Sequence, residues 1–156
     1  MMATMSISEQ ILPLKLFEGL AVKAKQAQTQ KKMQKGINMV FNGLALVCEG
    51  ASEALDSTID KLLKTEQSQC TDAEFEGLVN SLESFMPLLS EMLKSDTFDE
   101  KAKVMLGSFI ERMSIYVNLE RQMRDGLALP ASLDLEEVNR AVTASKKGNF
   151  FAWVEA

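Results

Sequence analysis

One spacing dominates the middle of the chain. Ile37, Val40, Phe41, Leu44, Cys48, Ala51, Leu55, Ile59 and Leu62 recur at intervals of three and four. Such a run puts its apolar groups on one stripe of an α-helix and scatters them over both faces of a strand. The same periodicity returns in Phe75, Leu78, Val79, Leu82, Phe85, Met86, Leu89 and Leu93, and again in Ala102, Met105, Leu106, Phe109, Ile110, Met113, Tyr116, Val117 and Met123. A weaker stripe comprises Leu16, Phe17, Leu20, Ala24 and Ala27. With only 8 glycines and 3 prolines in 156 residues, the turns of an all-β domain are missing, as is the composition of a disordered chain. The expected fold is all-α: an up-and-down bundle of about five helices with a short aromatic C-terminal tail.

Start and stop signals place the helices. The first is expected over 12–34, with Pro13 in its opening turn, where a missing N–H costs nothing. The second spans 37–65, with Gly36 ahead of it and a break expected near Gly50, where Ser52 could begin a new helix. The third begins at Thr71, whose spacing to Glu74 is that of a capping box, and Pro87 should kink or split it near Ser84. The fourth begins with a second such spacing, Thr97 to Glu100, and stops at Gly126 after Arg121 and Arg124. The fifth is capped by Asp134 and stops at Gly148. The expected organisation is a flexible N-terminus over 1–11, a helical bundle over 12–148 and an aromatic tail over 149–156. Short loops predict antiparallel neighbours.

The chain contains no histidine. No Ser-His-Asp or Cys-His pair can form, no His-containing metal site exists, and the usual general base near neutral pH is missing. Neither a GxxxxGK[ST] nor a GxGxxG phosphate loop occurs. A net charge of −5 lacks the positive field of a nucleic-acid binder, so nucleic acid is an unlikely partner. Two cysteines, Cys48 and Cys70, form no dense framework and read as reduced thiols of a cytoplasmic protein. The start of the chain lacks the basic residues and long apolar run of a secretion signal, and no apolar stretch is long enough to span a bilayer.

Four groups of residues are candidates for function. Glu49, Glu53, Asp56 and Asp60 follow helical spacing and place four carboxylates on one side of the second helix. Such a row could hold Mg²⁺ in an all-α phosphohydrolase, though no matching row is evident elsewhere and a solvated face explains it better. Lys23, Lys25, Lys31, Lys32 and Lys35 occur with no acid between Glu18 and Glu49. They suit a solubilising polar helix end or an acidic partner, which could be the carboxylate row of a second copy; a weak association with nucleic acid is the alternative. Several methionines, including Met86, Met105 and Met113, fill the core or line a groove for a partner helix. Phe150, Phe151 and Trp153 crowd aromatic area into the last seven residues. They could dock on their own bundle, on a second copy or on another protein. Cys70 precedes a helix N-terminus that could lower its pKa, but no partner base is evident. The functional expectation is a non-enzymatic interaction module with no cofactor, acting as adaptor, chaperone, inhibitor or regulatory subunit. It would use Phe150, Phe151 and Trp153 as anchors and Lys31, Lys32 and Lys35 to steer a protein partner or a second copy.

Overall fold

The computed structural model of the protein describes residues 7–10, 12–26, 31–96 and 98–130. Among the described residues there are helices and no strands: α1 (Ile7–Gln10), α2 (Leu12–Gln26), α3 (Lys31–Thr65), α4 (Asp72–Lys94) and α5 (Glu100–Arg124). The protein is all-α. The expectation of about five helices exceeds the four long ones described. Its fifth, over 134–148, and the tail over 149–156 lie outside the described residues. The N-terminal stretch holds a single helical turn, α1, which packs against α2, α3 and α4.

Two expected breaks are absent. α3 runs for 35 residues through Gly36, Gly43 and Gly50, and Ser52 is buried in its interior instead of opening a new helix. A glycine weakens a helix by about 1 kcal/mol relative to alanine, which the burial of Ile37, Phe41, Cys48, Leu55 and Leu62 outweighs. α4 likewise continues through Pro87. Pro87, Glu83 and Ser84 are all exposed, so the carbonyl that loses its helical donor there faces water. The capping box at the start of α4 forms as expected. The Thr71 N–H donates to Glu74 Oε1 at 2.9 Å and the Glu74 N–H to Thr71 Oγ1 at 3.1 Å. Thr97 of the second expected box lies outside the described residues, and α5 starts at Glu100 with Asp99 as its N-cap. The Asp99 carboxylate accepts instead from Asn42 Nδ2 at 2.8 Å and Asn38 Nδ2 at 3.4 Å, tying the start of α5 to α3. At the other end of α5, Gly126 has φ +75°, a left-handed conformation that glycine adopts freely. Its N–H donates to the Met123 carbonyl at 3.1 Å and that of Leu127 to the Gln122 carbonyl at 2.8 Å, a Schellman ending.

Short loops predicted that consecutive helices would be close neighbours. This fails at one step. α3 packs chiefly on α5, and α2 packs on both α3 and α4, whereas α3 and α4 hardly meet. The long helices thus form a ring in the order α2, α3, α5, α4. The connection over 66–71 must cross between opposite members. An aromatic hub holds the centre. Phe17 of α2 meets Phe41 of α3 edge-on at 5.4 Å and Phe85 of α4 at 6.4 Å, and Phe98, just before α5, lies 4.3 Å from Phe41. α5 is buried round its whole circumference: Lys103, Glu111, Ile115, Leu119 and Glu120 are buried along with the expected stripe. No helix among the described residues is long and apolar enough to cross a membrane.

Candidate functional site

Three of the four carboxylates expected to share a solvated face are exposed, and the fourth is drawn into an ion pair. Glu49 and Glu53 are exposed, and Asp60 pairs with Lys64 of its own helix at 3.0 Å. Asp56 is half-buried, with its Oδ1 accepting from Arg112 Nε of α5 at 2.7 Å. Arg112 also donates to the Ser108 hydroxyl. Burial raises the Asp56 carboxyl above its ordinary value, an effect that the Arg112 guanidinium only partly opposes. α5 lies along this edge of α3, which is why Asp56 is not a free ligand. Among the described residues no three Cys, Asp or Glu side chains stand close enough to hold a metal ion.

Cys70 belongs to a polar cluster that sequence spacing does not reveal. Its centre is Glu120 of α5, fully buried and surrounded by donors. Tyr116 Oη donates to Glu120 Oε2 at 2.5 Å, the Gln69 N–H to the same oxygen at 2.9 Å, and Cys70 Sγ lies 3.5 Å from it. Ser68 Oγ donates to Oε1 at 2.8 Å, and Arg124 Nη1 to Oε1 at 2.6 Å. Arg124 also reaches Asp72 at 3.1 Å and stacks its guanidinium 4.4 Å from the Phe75 ring centre. The loop over 66–71 makes the diagonal crossing from α3 to α4, and this carboxylate fastens it to the end of α5. The helical spacing of Tyr116, Glu120 and Arg124 was the available signal.

This cluster locks the loop over 66–71 to α5. Five donor groups converge on Glu120 and enclose its carboxylate. The Cys70 thiol is pushed above its ordinary value, first by burial and then by the Glu120 charge, which outweigh Tyr116 and Arg124. The following helix N-terminus, which could lower it, does not reverse this direction. Burial pushes the Cys48 thiol up to about 12. Both cysteines are free, and neither is activated.

A different surface stands out. The first half of α3 is apolar on two sides. Its inner side carries Ile37, Phe41, Ala45 and Cys48, all buried. Its outer side exposes Met33 at 49%, Met39 at 69%, Val40 at 54%, Leu46 at 62% and Val47 at 55%. Val40, expected in the core stripe, therefore belongs to the outer face. Gly36, Gly43 and Gly50 run down the middle of that face at seven-residue intervals, and a Cβ at any of them would meet nothing within 4 Å. The result is an apolar strip with a shallow groove along its centre. No element among the described residues covers it, where a helix of this kind would ordinarily turn polar groups to water.

Charge divides the two ends of this strip. Lys31, Lys32 and Lys35 are exposed at its start and Glu49 and Glu53 at its end. Lys23 is exposed on α2. The lysines thus lie beside an apolar surface, whereas the candidate anchors Phe150, Phe151 and Trp153 lie outside the described residues. Of the methionines proposed for a groove, Met113 is buried and Met86 and Met105 are half-buried against the core. Among the described residues Met33 and Met39 are the exposed methionines. No family model matches the chain, and neither a curated protein nor a solved structure does so.

Proposed function

We propose that the protein is a non-enzymatic protein–protein interaction module of the cytoplasm whose working surface is the outer face of the first half of α3. The observation that carries this reading is the uncovered apolar strip of Met39, Val40, Leu46 and Val47 astride a glycine groove. Keeping several large apolar side chains in water on one helix is unfavourable at about 25 cal/mol per Å², and burying them on a partner recovers that free energy. The glycine line suits a helical partner, since it lets a second helix approach more closely than side chains would allow. Lys31, Lys32 and Lys35 beside the strip steer the encounter towards an acidic surface. An adaptor, chaperone, inhibitor or regulatory subunit would use such a face. Phe150, Phe151 and Trp153 remain a second proposed anchor.

Photo-crosslinking in the producing cell tests the reading. A benzophenone side chain at Met39 or Val47 is expected to give discrete higher-mass adducts. The same group at Glu83 or Ser90, exposed on α4, is expected to give none. Equal labelling from α3 and α4, or no adduct from α3, would remove the α3 face as the working surface.

A further inference from the structure

We infer that the partner of the α3 face is a second copy of this chain, packed antiparallel across a two-fold axis at Gly43. The inference rests on the interaction-module reading and names its partner. The first argument is charge. From Lys31 to Cys48, α3 carries lysines and no acid, and from Glu49 to Asp60 it carries acids and no base. At the N-terminus of α3 this polarity opposes the helix macrodipole, which favours acids there. α3 has no acidic residue in its first turn. An antiparallel copy relieves that mismatch in both chains, laying the acidic stretch of one helix beside the basic start of the other.

The second argument is register. A two-fold axis at Gly43 pairs residues whose numbers sum to about 86. Gly36 then faces Gly50 of the second copy, and Gly43 faces its own counterpart. At 100° per residue, Val40 and Val47 lie on one side of the glycine line, and Met39 and Leu46 on the other. A two-fold axis brings like edges together, so Val40 meets Val47 across the axis, and Met39 meets Leu46. Lys35 lies on the Met39 edge and so does Glu53, with Glu49 just beyond it. The same operation therefore sets Lys32 and Lys35 against Glu49 and Glu53 of the second copy. One axis satisfies the glycines, the apolar edges and the charges together, as an isologous interface requires. The seven-residue glycine interval falls about 20° short of two turns of a straight helix, which gives the pair a slight left-handed wind.

Sedimentation velocity on the full chain and two charge-reversed variants tests this. All four substituted side chains are exposed, and circular dichroism checks that helix content is kept. The wild-type chain is expected to be a dimer whose dissociation rises with salt. Lys32→Glu/Lys35→Glu places acid against acid and should weaken the dimer at least tenfold. Glu49→Lys/Glu53→Lys should do the same with base against base. An equimolar mixture of the two variants should restore dimers, since each end then meets its opposite. A monomeric wild-type chain, a dimer indifferent to both reversals, or a mixture that stays monomeric would overturn the inference. Dimers lost on deleting 149–156 but kept in both reversals would assign the contact to the tail. If the chain is monomeric while Met39 still crosslinks to a heavier protein, the interaction module stands and the self-pairing falls.

Discussion

Replacing Glu120 with alanine is expected to cost about 3–5 kcal/mol of folding stability, the cost of removing one partner from a buried charged network. The size follows from how many groups depend on it. The Tyr116 hydroxyl, the Gln69 N–H, the Ser68 hydroxyl and the Arg124 guanidinium all point at this carboxylate; alanine leaves Tyr116 and Gln69 without this acceptor, while Arg124 keeps Asp72 and Ser68 keeps the Cys70 carbonyl. Tyr116 and Glu120 are fully buried, so water cannot replace what is lost without opening the end of α5. Glu120→Gln keeps the shape but loses the charge and adds a donor where only acceptors fit, for an expected loss of about 1.5–3 kcal/mol. Equilibrium urea unfolding measures both. A loss under 1 kcal/mol for Glu120→Ala would mean that the loop over 66–71 is held by something other than this carboxylate.

A second glutamate of α5 should behave in the opposite way. Glu111 is fully buried, and among the described residues neither carboxylate oxygen has a hydrogen-bond partner. Burial pushes its carboxyl up to about 8. The folded state therefore holds this proton more tightly than the unfolded chain, whose glutamates titrate near about 4.3. Between those two values the native protein carries the extra proton, and stability falls as pH rises, by up to about 1.4 kcal/mol per pH unit. Below the lower value the penalty vanishes, and above about 8 it is complete. Glu111→Leu is expected to stabilise the protein by roughly 3–5 kcal/mol at pH 8.5 and far less at pH 4.5. The wild-type urea midpoint should drop between pH 5 and 8.5, and the variant should flatten that drop. Equal pH slopes in the two proteins would show that Glu111 is solvated or paired.

These glutamates mark where sequence reading stops. The all-α fold was legible because apolar side chains repeat with the helical period, and the residues from Ile37 to Leu62 could bury a stripe only as a helix. Glu111 and Glu120 were not legible. A glutamate in an amphipathic helix reads as surface, and only the packing of α5, enclosed on all sides, buries them. Gly36 and Gly50 looked like breaks because propensity favours breaking there, and tertiary burial of Ile37 and Ala51 beside them overrode it. The ring order α2, α3, α5, α4 was invisible because loop length limits distance and does not select a neighbour. The outer face of α3 was half visible. Lys31, Lys32, Lys35, Glu49 and Glu53 could be read as complementary rows. Val40 could not be assigned outward until the core had been filled by Phe41 and Leu44.

The pairing of α3 with a second copy is tested most directly by cysteines placed along its groove. A Cβ is accommodated at Gly36, Gly43 and Gly50 without meeting any neighbour, so none of the substitutions should disturb the fold. Under mild oxidation, Gly43→Cys is expected to give a covalent dimer of twice the chain mass. Gly36→Cys and Gly50→Cys should each remain largely uncrosslinked alone and crosslink when mixed. The wild-type chain, with Cys48 buried and Cys70 tied to Glu120, is the control and should not crosslink. Crosslinking of the Gly43→Cys chain no faster than the wild type, or equal crosslinking at all three positions alone, would contradict the antiparallel pair centred on Gly43.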